Sequence, residues 1–350
     1  MGSRLYGLDA LRGLAAALLA FVYHLYFVLG VRHSGPLDGM PGFTLLHQYG
    51  SVLVDLFFVI SGFIFSHVYL SAGKANTSGW RFATARFARL YPLHLATLLL
   101  VAGLGLLGRP ADYYGHDDAW HFALHLLMLQ ESGLDQGLSF NIPAWSIAVE
   151  VYCYALFFVL AARYPKLLLP ASAALLVIGL AATFDEDAVL VGRGLCGFFT
   201  GVIAFRFRSV SAGLALALIA AGICLAPLVP RPSLGAMLSL TAWVGLVLLG
   251  ARVGEIRFRP LLWLGDRSYS IYLLHAPVYY AINILAFHGE PVPVAWWPAI
   301  GVIAPVCVLL VAEASYVWFE TPLRRRLKRL PPPRALPALP NRFRKLLNPG

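Results

Sequence analysis

Apolar runs of membrane-crossing length follow one another along almost the whole chain, separated by short polar stretches. A helix needs roughly 17 to 25 largely apolar residues to cross about 30 Å of hydrocarbon. Such runs lie at 8–30, 48–70, 87–108, 144–162, 167–183, 189–205, 212–229, 234–250, 268–288 and 295–318. They predict an all-α fold, a polytopic membrane helical bundle of about ten transmembrane helices. A further run, AWHFALHLLMLQ over 119–130, is too short to cross comfortably and reads as an interfacial or re-entrant helix.

Composition agrees with the pattern. The 350 residues are 59% hydrophobic and 13% charged, with mean hydropathy +0.72, which excludes a water-soluble surface. The first segment is longer than a signal-peptide core and has no convincing cleavage site, so it is expected to stay as a membrane helix. Cys153, Cys196, Cys224 and Cys307 sit singly in apolar runs, a pattern that suggests neither a disulfide framework nor a zinc site.

Charge sets the expected orientation, because cytoplasmic loops collect Lys and Arg. With the N-terminus in the cytoplasm, Arg4, Lys74, Arg81, Arg86, Arg89, Arg163, Lys166, Arg206, Arg208, Arg252, Arg257, Arg259, Arg267 and the basic tail all fall inside. Only Arg32, Arg109 and Arg231 fall in outer loops, together with the acidic Asp112, Asp117, Asp118, Asp135, Asp185, Glu186 and Asp187. Ten spans with cytoplasmic N- and C-termini satisfy this distribution. The net charge of +10 then follows from topology and inner-leaflet attraction and needs no nucleic-acid partner. Residues 1–325 form the membrane domain, and 326–350 a basic, proline-rich cytoplasmic tail given no catalytic role.

Ionisable groups at membrane depth are costly, so each is a functional candidate. His24 lies near the outer end of the first helix; Asp55 and Glu150 lie a few residues into the second and fourth, which start outside. All three are expected roughly 10 Å below the outer face, at 1.5 Å per residue. A second layer faces the cytosol: Arg12, Arg86, Arg89, Ser268, Tyr269, Tyr272 and Glu320, with His275 one turn deeper than Tyr272. Arginine forks suit phosphates, whereas a buried imidazole near a carboxylate suits proton transfer.

Taken singly, most of these residues have a plainer explanation. Arg86 or Arg89 alone would be a topology signal or a snorkelling side chain, and His24 alone could equally be an interhelical hydrogen bond. The coincidence of His24 with Asp55 and Glu150 shifts the balance to function. His121 and His125 have the i, i+4 spacing of a metal pair but no HExxH pattern, so no metal is assigned. Gly197 and Gly201 have the spacing of a close helix crossing. Arg193 could meet an acceptor or pair with Asp185 or Glu186, and is left outside the core site. A proton-coupled transporter would also carry intramembrane His, Asp, Glu and Arg, although no two-halves repeat of motifs is visible.

The chain resembles the integral-membrane acyltransferase 3 family. The matching stretches, in family order over about residues 5 to 325, are LDALRGLAA with His24, VDLFFVISGFI around Asp55, RFARLYPLH with Arg86, Arg89 and Pro92, IPAWSIAVEVYCY with Trp145, Ser146 and Glu150, LGDRSYSIYLLHAPV with Ser268, Tyr269 and His275, and FETPLR with Glu320. In that family the arginine and histidine of the first helix are usually ten residues apart; here eleven residues intervene between Arg12 and His24. One extra residue turns the histidine by about 100° on an ideal helix, so a local bulge or a re-aimed ring is needed.

The resemblance implies a bacterial inner-membrane enzyme that moves an acyl group, most often acetyl from acetyl-CoA, to a hydroxyl of a glycan, glycolipid or other acceptor, a small lipophilic one being an alternative. It implies no permanently bound cofactor. Arg12, Arg86, Arg89, Ser268 and Tyr269 are then expected to hold the anionic donor, and Trp145, Ser146, Tyr272 and His275 to lie against substrate. His24 is expected to act as general base with Asp55 or Glu150 fixing its tautomer. Tyr269, Tyr272, Ser146 or Trp145 could steady the oxyanion, and a covalent acetyl-histidine route stays open.

Overall fold

In the computed structural model the described residues are 4–31, 46, 49–71, 78–228, 232–254, 256 and 258–331. Arg32, Lys74, Arg231, Arg257 and the tail beyond Pro331 lie outside them. The described chain is helical: α1 (Tyr6–Leu29), α2 (Gly50–Leu70), α3 (Gly79–Gly105), α4 (Ala119–Leu126), α5 (Ile142–Arg163), α6 (Pro165–Ala182), α7 (Val189–Arg206), α8 (Ala212–Leu225), α9 (Pro232–Gly250), α10 (Arg259–Phe287) and α11 (Val294–Leu327).

Among the described residues eight of these, α1–α3, α5–α7, α10 and α11, are long and apolar enough to cross a membrane. The other two expected spans fall on α8 and α9, which pack on each other. Pro227 cannot donate a backbone hydrogen bond, and α8 tightens into a 3-10 turn over Ala226–Leu228; residue 229, the expected end, lies outside the described residues. The 119–130 run is likewise short: α4 makes two turns, capped by Asp118, whose side chain accepts from the His121 N–H at 2.8 Å.

Two helices begin well before their apolar runs. In α3 the Ser78 hydroxyl caps the first turn, and in α10 Pro260 occupies the first turn, where a missing N–H costs nothing. The polar residues that masked the lower part of α10 have partners: Asp266 accepts from Arg4 at 2.6 Å, and Arg267 pairs with Glu313 of α11. α11 runs on past 318 through a π turn over Ser315–Glu320.

α10 is the central helix, with 72% of its apolar window buried, against 17% for the outward-facing α6 and α11. It packs on α1, α3 and α11, while α7 packs on α2, α5 and α6. Two crossings set the spacing at the site. A Cβ on Gly13 would lie 2.5 Å from the Gly265 nitrogen, so α1 and α10 meet backbone to backbone. A Cβ on Gly201 would lie 2.1 Å from the Val59 carbonyl, and one on Gly197 2.6 Å from the Phe58 Cβ, so the glycine pair does serve close packing, of α7 on α2.

Candidate active site

The backbone of α1 departs from an ideal helix where the sequence requires it to. The α-helical part ends at Phe21, Val22 adopts φ −120°, and Tyr23–Leu25 form a 3-10 turn that carries His24. The turn re-aims the ring toward α10. His24 Nδ1 lies 2.9 Å from Nε2 of His275, with the ring planes 6° apart. His275 Nδ1 in turn lies 3.2 Å from the Ile271 carbonyl, which only accepts. A neutral His275 therefore carries its proton on Nδ1 and offers Nε2 as acceptor, so His24 donates from Nδ1 and its Nε2 holds a lone pair. That nitrogen has no hydrogen-bond partner among the described residues.

Aromatic rings fix the pair. Phe27 stacks on His24 at 4.9 Å, and Tyr279 lies edge-on to His275 at 6.0 Å while its hydroxyl donates to the Ala20 carbonyl. Pro277, two residues after His275, gives no N–H to the Leu273 carbonyl, and Asn141 donates to that carbonyl at 3.0 Å. The break thus anchors the loop before α5 to the helix that holds His275.

The two carboxylates expected beside His24 are engaged elsewhere. Asp55, fully buried, pairs with Arg193 at 3.0 Å; Arg193 also donates to the Ser51 carbonyl and lies 5.3 Å from the Trp145 ring centre. Arg193 is thus paired with Asp55, neither with Asp185 nor with Glu186. Glu150 accepts from Ser61 and from Tyr154. The partner that sequence reasoning missed is His275, and the signal was helix length. With α10 starting at 259, His275 sits about 24 Å up its helix and His24 about 27 Å up α1, at 1.5 Å per residue.

Glu150 lines a chamber of about 60 Å³ with Arg12, Arg89, Ser146, Tyr154, Ser268, Tyr269 and Tyr272. Below it lies a vestibule of about 200 Å³ lined by Arg4, Asp9, Arg12, Arg89, Asp266, Tyr269, Glu320 and Arg324. Arg12, Arg89 and Tyr269 line both, so they form the threshold between them. Arg12 is fixed there by hydrogen bonds to Ser268 Oγ at 2.9 Å and the Gly265 carbonyl at 3.1 Å, a placement the Gly13–Gly265 crossing makes possible. Glu320 accepts from Ser270 at 2.6 Å and Ser315 at 2.9 Å.

At the other end of the chamber Tyr272 shares a 2.8 Å contact with Ser146 and sits 5.9 Å from the His275 ring, between the chamber and the histidine pair. Neither histidine lines the chamber itself. Trp145 also stands apart, over Arg193 and Phe58. Arg86 does not line the vestibule: its guanidinium lies 5.1 Å from Phe65 and 5.8 Å from Tyr154 ring centres. Around α4, His121 is held by Asp118 and by the Gln136 N–H, and His125 by Ser139.

A multi-pass membrane protein whose bundle encloses a polar chamber above an arginine-rich vestibule is the class that fold and site define. The model of the acyltransferase 3 family, an acyltransferase domain, matches residues 5–312, and the chain belongs to that family. It is 27% identical over 377 residues to peptidoglycan O-acetyltransferase OatA of Listeria monocytogenes, covering 91% of this chain and 55% of that one. It is 32% identical over 164 residues to acyltransferase MdmB of Streptomyces mycarofaciens, covering 45% and 40%. O-acetyltransferase OatA of Staphylococcus aureus is 37% identical over 71 residues, 20% of this chain and 11% of that one. The chain thus spans about half the length of the first two. No solved structure matches it.

Proposed function

We propose that the protein is a membrane O-acyltransferase that moves an acetyl or short acyl group from cytosolic acyl-CoA to a hydroxyl of a glycan or glycolipid, with both termini in the cytoplasm of a bacterial inner membrane. The observation that carries this reading is the unpartnered Nε2 of His24, left basic by the tautomer that His275 and the Ile271 carbonyl select. His275 takes the orienting part that a carboxylate plays in a catalytic triad. The vestibule, open to the side where Arg4 and Arg324 lie, suits the anionic end of coenzyme A. Arg12, Arg89, Ser268 and Tyr269 hold the donor at the threshold, and its thioester reaches past Tyr272 to His24.

His24 Nε2 accepts the proton of the acceptor hydroxyl as that oxygen attacks the thioester carbonyl. The C–S bond then breaks, and the imidazolium returns the proton to the leaving sulfur, giving ester and free CoA thiol. Tyr272 and Ser146, the chamber hydroxyls on the side of the pair, turn from the Pro143 carbonyl to steady the carbonyl oxygen. Asp55, paired with Arg193 beside Trp145, has a supporting part in place of direct acid–base work. The glycan acceptor is supported by the Listeria relative, named a peptidoglycan O-acetyltransferase.

The test is mass spectrometry of cell-wall and membrane glycans from cells carrying the active chain or His24→Ala. An added acetyl group present only with the active chain supports the reading. Identical glycans from the two, with donor-independent solute flux in proteoliposomes, point to a transporter instead.

A further inference from the structure

A third cavity, of about 340 Å³, opens sideways between α3 and α5 and has almost no polar lining. Its walls are Phe82, Phe87 and Leu90 of α3 and Tyr154, Phe158 and Val159 of α5, and Arg86 also reaches it, its guanidinium turned to the Tyr154 ring. Small residues at Gly79, Ala83 and Ala155 leave it wide; a Cβ on Gly79 would meet nothing closer than 3.6 Å. Leu90 and Tyr154 line the 60 Å³ chamber as well, so these two side chains are the partition between groove and chamber. The Tyr154 hydroxyl is drawn to the chamber side by Glu150 at 2.5 Å, leaving its ring to the apolar side.

We propose that this groove is an acyl-chain subsite, taking the hydrocarbon tail of acyl-CoA donors longer than acetyl once the tail passes between Leu90 and Tyr154. The inference rests on the donor reading given above. The chamber is too small for a long chain, whereas the adjoining groove is apolar and separated from it only by the Leu90 and Tyr154 side chains. A tail brought from water into such a groove gains about fourfold in affinity per methylene fully buried. A membrane lipid reaching the same groove from the side has no reason to depend on the chamber, and that separates the two occupants.

The experiment measures binding of acetyl-CoA and octanoyl-CoA to the full chain in lipid nanodiscs, with empty nanodiscs subtracted. The expected result is octanoyl-CoA bound at least about tenfold tighter than acetyl-CoA. The paired substitution Ala83→Trp and Ala155→Phe fills the groove and is expected to remove that advantage while leaving acetyl-CoA affinity within about twofold. That unchanged affinity also reports a folded variant. If the affinity for acetyl-CoA does fall, the single substitution Ala155→Leu, a milder filling, is expected to reduce the ratio alone. Equal binding of the two donors by the unsubstituted chain, or an octanoyl advantage that survives every filling, overturns the subsite. Phospholipid retained by the unsubstituted chain and lost on filling, with donor preference unmoved, assigns the groove to lipid. Failure of both donors to bind counts against the donor reading itself.

Discussion

His24 Nδ1 and His275 Nε2 are 2.9 Å apart in rings inclined by 6°. Because His275 must donate its other nitrogen's proton to the Ile271 carbonyl, the direction of the bond between the rings follows. The lone pair of His24 Nε2 is then a consequence of α10 geometry, and residues that hold α10 become part of the chemistry.

Removal of either ring separates base from orienter. His24→Ala is expected to lower kcat by about 10²-fold to 10⁴-fold with donor affinity kept, as for loss of a general base. His275→Gln keeps an acceptor for His24 and is expected to retain more activity than His275→Ala. Equal loss in the two, measured as kcat with the pH profile unchanged, would assign His275 to packing.

Arg12 is held at the threshold by Ser268 and Gly265. Arg12→Ala is expected to weaken acetyl-CoA binding by about tenfold to a hundredfold, the range for charge-assisted hydrogen bonds of about 1.5–3 kcal/mol. Calorimetry on purified protein checks it, and unchanged donor affinity removes Arg12 from the donor site.

Asp55 and Arg193 form a buried pair beside Trp145. Asp55→Ala leaves Arg193 uncompensated and is expected to cost about 3–5 kcal/mol, whereas Asp55→Leu with Arg193→Met is expected to cost less than either alone. Thermal unfolding of the single and double variants in detergent gives the comparison.

In the loop after α4, Glu131 is only 7% exposed. Burial first, and Asp135 second, push its carboxyl up to about 8. The folded protein then holds a proton that the unfolded chain has released, so this residue's contribution to stability is full below the ordinary carboxyl range and falls as pH rises toward about 8. Glu131→Gln is expected to flatten the melting temperature between those limits. A slope that persists unchanged in the variant places its origin elsewhere.

Helix existence was legible in the sequence wherever an apolar run was long, because hydrocarbon leaves backbone groups no partner outside a helix. Eight of the expected spans, all but 87–108 and 268–288, lie within a few residues of a described helix or inside one, among them 48–70 against Gly50–Leu70 and 144–162 against Ile142–Arg163. The boundaries failed at Arg259–Arg267, where charges paired in the fold look like loop to a hydropathy reading, and at the start of α3, where Arg81 and Arg86 have the same effect. The same shortfall put His275 at the wrong depth.

The sequence by itself determined a membrane bundle, its family, the need for a bend before His24, and the common layer of Arg12, Arg89, Ser268, Tyr269 and Tyr272. Only the tertiary structure decided which ionisable groups meet. Depth along a helix follows from residue number, but rotation about the axis and the neighbour across the crossing do not. The glycine contacts of Gly13 with Gly265 and of Gly201 with Val59 set those crossings. They bring Arg12 to Ser268 and set α7 against α2, where Arg193 meets Asp55, while His24 is left to pair with His275.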